Sequence, residues 1–332
     1  PAIIKKYGWS APPECQAADL QKVSLSAIRG FLLSPLQQSA KTILGLYEHQ
    51  KSVSKNSEPV TMDPLARLSL LQTVFWSAVE SEAELNQAYD LEFERLYLQN
   101  RAPAGPFATA VKDQDFKILK QWRAVGTAAG AGQLETWEMW ALGPCEEDLQ
   151  LTEQYPAISL KCGQNEDIKV SGVLERIHPD RHLIMTPILK EKPADEHFLR
   201  ALISIMAARA GGIPMADTVK VIIPTASDIP LQRITRTYRV PTQDWALQWL
   251  TQIIEDLQSE FHPYRLPYEV VMNWYRARQE NADAKPFLGP TQATRDDYGP
   301  IRNLSPFTLP DVERADAMVH SRFDLLFRMT LS

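Results

Sequence analysis

The run Val170-Ser-Gly-Val-Leu-Glu-Arg-Ile-His-Pro-Asp-Arg-His-Leu-Ile-Met-Thr-Pro-Ile-Leu-Lys190 constrains this chain more than any other stretch. It reads as two strands joined by a His-Pro-Asp turn. Ile158 to Cys162, followed by a Gly-Gln-Asn turn, supplies a strand just before it, so the three make a meander. Glu196 to Ala210 is an apolar helix closed by Gly211-Gly212. Val219-Lys-Val-Ile-Ile-Pro224 is then an apolar run of the kind found in a strand covered on both faces. The alternating segment Arg233 to Val240 and an amphipathic helix from Thr242 to about Phe261 complete the pattern.

Upstream, the first 130 or so residues read as helical. Ser24 or Ser26 caps a helix carrying Ile28, Phe31 and Leu32 on one face and ending before Pro35. Leu36 to Tyr47 is a second helix, running into a polar linker from His49 to Pro59. Asp63-Pro64 starts a third, because the carboxylate caps and the proline fits a first turn that needs no amide donor. Glu84 to Asn100 and Ala108 to about Ala128 are two more, separated by a Pro/Gly turn. Leu134 to Leu142, anchored by Trp137, Met139 and Trp140, fits either a strand or a short buried helix.

With 332 residues, 44% of them hydrophobic, the chain is long enough for a large core and two lobes. No apolar run approaches the length that crosses a bilayer, and the start lacks a signal-peptide pattern, so a cytoplasmic protein with no membrane partner is expected. Beginning at Pro1, the chain reads as a segment of something longer. The formal charge of -6 argues against a general coat on DNA and confines any nucleic-acid contact to a local patch. Cys15, Cys145 and Cys162 are scattered and lack metal-site spacing, which leaves them as ordinary thiols.

Helix, three strands, helix, strand is the αβββαβ order of the restriction-endonuclease-like nuclease core, in which a mixed central sheet is flanked by helices. The fold class expected is therefore α+β, with a helical region over 1–132 and a nuclease-like domain over 133–332 that ends in an irregular arm. Active members of that fold carry an Asp on the second strand and an Asp/Glu-x-Lys on the third. Alternate strand residues face one side, so these groups converge to hold magnesium and orient a water. Here Gly172-Val-Leu-Glu-Arg176 places Glu175 in the first position, while Ile184-Met-Thr-Pro187 places Met185 and Pro187 where the second acid and the lysine belong. A thioether and an imino ring supply no hard oxygen ligand. The site reads as degenerate, with no catalytic residues, no metal and no cofactor.

Asp/Glu-x-Lys does occur at Asp115-Phe-Lys117, Asp167-Ile-Lys169 and Asp283-Ala-Lys285, but composition alone yields roughly two such hits. An active magnesium nuclease pairing Glu175 with a migrated carboxylate such as Asp167 or Glu191 is the alternative. For DNA contacts the candidates are Arg233, Arg236 and Arg239, the first and third sharing a strand face with Thr235 and Thr237. Charges that protect an edge strand explain the same pattern. Trp245 and Trp249, four residues apart, read as core packing more than as base-stacking platforms. Trp274 and Tyr275 are a second aromatic pair, open to base stacking or to a subunit interface. His178 and His182 flank the hairpin turn, and of metal binding by the pair and solvent-exposed turn histidines the second is the expected reading. Asn281 to Pro310, rich in Pro, Gly and Asp, is either a partner-binding arm or a loop wrapped on its own domain.

Ser24-Leu-Ser-Ala-Ile-Arg-Gly-Phe-Leu-Leu-Ser-Pro35, Leu44-Gly-Leu46, Asp63-Pro-Leu-Ala-Arg67, Ala104-Gly-Pro-Phe107, Ser171-Gly-Val-Leu174, Pro187 and Leu266-Pro-Tyr268 occur in an order that resembles the C-terminal region of the RecC family, the gamma subunits of exodeoxyribonuclease V. The resemblance spans nearly the whole chain, and each motif is weak alone. It implies a nuclease fold that has lost its active site and serves double-strand-break repair and recombination. Such a domain holds RecB-like and RecD-like subunits of a helicase–nuclease and guides double-stranded DNA ends. The related AddB subunits keep a working nuclease and an iron–sulfur cluster on four cysteines, and three scattered cysteines depart from that pattern.

Overall fold

In a computed structural model the chain is described over residues 21–46, 59–77, 82–130, 137–144, 151–162, 166–178, 180, 182–259, 262, 264–279, 294–297, 299–301 and 311–331. Cys15, Cys145, the Asp283-Ala-Lys285 motif and most of the stretch from Asn281 to Pro310 lie outside these residues.

Local chemistry sets the helix boundaries. Ser24 precedes α1 (Leu25–Leu33), and its hydroxyl accepts the Ala27 amide at 3.1 Å. Ser34 separates α1 from α2 (Pro35–Leu44), which carries Pro35 in its first turn and closes on Gly45 in the left-handed region. Asp63 accepts the amides of Leu65 and Ala66 at the head of α3 (Pro64–Trp76), as the Asp-Pro pair predicts. Next come α4 (Glu82–Leu98) and α5 (Gly105–Ala128). One element departs from the all-helical expectation for this half. Lys22–Ser24 forms β1, aligned in parallel with residues 169–171.

The remaining strands are β2 (Trp140–Leu142), β3 (Glu153–Tyr155), β4 (Ile158–Cys162), β5 (Glu166–Val173), β6 (Leu183–Met185), β7 (Thr218–Ile222), β8 (Thr235–Arg239) and β9 (Thr330–Leu331). Four helices accompany them: α6 (Asp195–Ala210), α7 (Gln243–Ser259), α8 (Tyr268–Gln279) and α9 (Val312–Met329). In the first sheet β1 lies parallel to one side of β5, while β4 and β2 pair antiparallel with successive parts of its other side and β3 joins β2. The second sheet runs β6-β7-β8-β9. There β6 and β7 are parallel and linked through α6, and β8 runs antiparallel to both β7 and β9. The expected order αβββαβ is present as α1, β4, β5, β6, α6, β7.

The two sheets meet where β5 runs on to Ile177. That residue bridges Glu138 on one side and Ile184 on the other, and the Met185 amide donates to the Arg176 carbonyl at 3.4 Å. The strand expected over 168–178 is thus one path with a bend at Gly172, whose φ is +145°. A Cβ there would lie 3.1 Å from Leu25 Cβ, so the glycine lets α1 close on the strand.

Alternation then sends side chains to two cores. Ile184, Val221 and Val170 join Ile28 and Phe31 of α1, Leu199 of α6 and Ile253 of α7. Leu183, Met185 and Ile222 face the other way, onto Phe75, Tyr89, Leu119 and Trp122 of α3 to α5. Of the apolar run expected to be covered on both faces, Val219 and Val221 enter the first core and Ile222 the second, while Lys220 is exposed. Trp122 Nε1 fixes the second layer by donating to the Thr225 carbonyl at 3.0 Å.

The described part of the late irregular stretch lies against its own domain. Ser34 Oγ donates to Asp296 Oδ1 at 2.5 Å, Gln37 Nε2 to the Asp296 carbonyl at 2.8 Å, and the Ile301 amide to Gln37 Oε1 at 3.0 Å. No described helix is long and apolar enough to cross a membrane.

Gly172→Ala should lower the unfolding free energy by about 2 kcal/mol, since an L side chain is strained at that φ and meets Leu25. Urea denaturation reads the change, and a shift below about 0.5 kcal/mol would mean that the close approach of α1 is not constraining.

Candidate functional site

Glu175 sits just past β5, buried between the sheet and α6. Continuing the ladder through Ile177 and Ile184 brings Thr186 across from it. Thr186 Oγ1 donates to Glu175 Oε2 at 2.8 Å, and Arg200 is ion-paired with Oε1. The Glu175 amide donates to Ser204 Oγ at 3.0 Å. Arg200 and Ser204 stand one helical turn apart on α6, so a single helix face supplies both contacts.

The carboxylate is thus held by a guanidinium and a hydroxyl. Burial, reinforced by the nearby Arg29, lowers Arg200 to about 10, which leaves it cationic at neutral pH. The guanidinium side chain remains 46% exposed against 8% for Glu175, so the pair is anchored at a rim and water reaches its cationic half.

Met185 and Pro187 do not share this pocket. Met185 enters the second core, on the opposite sheet face from Glu175. Pro187 is buried, and its carbonyl accepts from Gln72 Nε2 of α3 at 2.9 Å. The residues that share Glu175's face of this strand are Ile184, Thr186 and Ile188. In either register the partners are a thioether and a proline, or one neutral hydroxyl and aliphatic carbon. Neither set supplies the hard, anionic oxygens that magnesium takes.

A family model described as the RecC C-terminal domain matches residues 20–279. The chain belongs to the RecC C-terminal domain family. No curated protein matches it. The family ties the chain to RecC-like subunits of recombination and repair. Its matched span takes in α1 through α8, hence the whole Glu175 pocket.

Within this RecC-like domain the other acidic candidates lie apart. Asp167 is exposed near the far end of β5, opposite Lys161. Eight residues of strand separate it from Glu175, roughly 25 Å at the usual rise. Glu191 is exposed, and Lys190 Nζ donates to Glu196 at 2.8 Å. Asp115 is fully buried and structural, held by Arg67 and by Tyr89 Oη at 2.7 Å. Burial raises its carboxyl despite those two partners.

The arginine candidates divide. Arg233 lies exposed in a 3-10 turn and Arg239 exposed at the end of β8. Arg236 turns inward, donating to Asp195 at 2.5 Å and stacking 3.9 Å from the Phe198 ring centre, while Arg276 binds the other Asp195 oxygen. Charge-pairing within the fold already occupies it. β8 is also not an edge, since β7 and β9 flank it.

Trp249 is buried, with Nε1 donating to the Arg322 carbonyl, whereas Trp245 is 52% exposed. Trp274 is buried and Tyr275 stacks on Phe327 at 3.8 Å. His178 and His182 prove only partly exposed, with their rings 5.1 Å apart.

What sequence reading missed here is Arg200, Ser204 and Thr186. The available signal was an arginine and a serine at helical spacing in an otherwise apolar helix.

Arg200→Met, which strands a buried carboxylate, should cost roughly 1–3 kcal/mol, the half-exposed guanidinium keeping it near the low end. Adding Glu175→Gln should recover at least half of the loss in thermal or urea unfolding. Additive costs would show that the two side chains are not coupled.

Proposed function

We propose that this chain is the non-catalytic C-terminal domain of an exodeoxyribonuclease V gamma (RecC-like) subunit. It holds RecB-like and RecD-like partner subunits and guides double-stranded DNA ends during break repair and recombination, in the cytoplasm. In this reading α3 to α5 act as a helical elaboration of the nuclease-like domain expected over 133–332, while β1 and α1 pack into that domain's first core.

One observation carries the proposal. Glu175, the acidic residue at the fold's first ligand position, is bound internally by Arg200 and Thr186. A carboxylate committed to a guanidinium has no incentive to bind a divalent cation, and no second acid stands across from it to share one. The αβββαβ framework is nevertheless complete, with both sheet faces covered by helices. Such a framework offers a rigid body to partner subunits and to a DNA end.

The residues present do not fit a magnesium ion, so no catalytic step is assigned to the domain. Of the arginine candidates, Arg233 and Arg239 are free to meet phosphates, while Arg236 would first have to leave Asp195.

Reconstitution of the helicase–nuclease from full-length subunits tests this reading. A complex carrying Glu175→Gln should assemble and degrade linear duplex DNA within about twofold of the unsubstituted rate. Loss of degradation by an assembled complex would make this domain the nuclease. Failure of the folded subunit to associate with its partners would remove the scaffold role.

A further inference from the structure

The turn between β5 and β6 is the one place among the described residues where three metal-ligating side chains converge. Its sequence is His178-Pro-Asp-Arg-His182, and one ligand atom each from His178, Asp180 and His182 lies within 4.8 Å of the others. We propose that this turn binds a divalent transition-metal ion of the zinc class through these three residues.

Two of the ligands already stand at working separation. His178 Nδ1 lies 3.5 Å from Asp180 Oδ2, and metal–ligand bonds of about 2.0–2.1 Å in a tetrahedral site set neighbouring ligands about 3.3 Å apart. Bringing in the third requires side-chain rotation of about an ångström or more within a turn whose Asp180 side chain is 74% exposed. His178 Nδ1 accepts the Asp180 amide at 3.2 Å, so its lone pair points into the turn, and coordination through this nitrogen exchanges that hydrogen bond for the metal.

The backbone holds both histidines in place. The His178 amide donates to the Leu183 carbonyl at 3.0 Å, and the His182 carbonyl accepts from the Lys220 amide at 2.8 Å. The Trp137 ring meets His178 edge to face at 5.6 Å and limits its rotation. Ligand-bearing residues fixed at both ends of a short turn lose little further freedom on binding.

Two imidazoles and one carboxylate select a borderline ion such as zinc, cobalt or nickel over magnesium. Three protein ligands leave a position for water, and the ion would clip the β5–β6 hairpin at its tip. By strand alternation His178 shares a face with Arg176 and Trp137, whereas Glu175 faces α6. The site is therefore separate from the degenerate pocket, on the other side of the sheet.

Calorimetric titration of the chelator-treated whole chain with zinc chloride tests the proposal. One equivalent should bind, and His182→Ala and Asp180→Asn should each weaken that binding roughly tenfold or more. Zinc should raise the melting temperature of the unsubstituted chain and lose that effect in both variants. Asp180→Asn, at an exposed position, keeps the test independent of folding defects. No stoichiometric binding, or binding that both variants leave unchanged, would overturn the site.

Discussion

Between Ile168 and Ile177 the backbone belongs to both sheets, and every neighbouring element is positioned by it. β4 and β1 pair with its first half, β2 with its middle, and Glu138 and Ile184 with its end. Alternation assigns Ile168, Val170 and Leu174 to the core that α1, α6 and α7 close, and one extra residue between the Leu174–Trp140 and Ile177–Glu138 bonds shifts the phase so that Ile177 joins the same core. It directs Arg176 to the opposite face, where its guanidinium lies 5.1 Å from the Trp76 ring centre. A one-residue slip would exchange the two sets, so burial on both faces fixes the register.

That register also decides the fate of Glu175. It enters the α6 side, where an unpaired carboxylate would be costly to bury. A metal ion is one remedy for such a carboxylate, and an arginine from the adjacent helix is another. Arg200 takes the second course, its side chain reaching the rim while Glu175 stays enclosed. The arrangement preserves the charge balance of the pocket with groups that belong to the chain.

The order of elements was legible because it rests on local signals. The Asp63-Pro64 start, the Ser34-Pro35 break and the both-faces apolar run at Val219 each appear where their side-chain chemistry places them. β1 was not legible, since three residues carry no period and its pairing with residues 169–171 is distant in sequence. The partner of Glu175 was missed for a related reason. Aligning a strand motif by its apolar residues named Met185, but only the ladder through Ile177 and Ile184 shows Thr186 opposite. Arg236 read as a surface cation because its neutralising Asp195 lies 41 residues earlier, at the start of α6. Contacts that join distant elements leave no trace in periodicity.

Cleavage of linear duplex and single-stranded DNA by the isolated chain, with magnesium or manganese, tests the central claim most directly. Unsubstituted protein, Glu175→Ala and Arg200→Ala should all give no product above the protein-free control. Cleavage by the unsubstituted chain that Glu175→Ala abolishes would contradict the account, because it would require Glu175 to hold a metal ion despite its bond to Arg200.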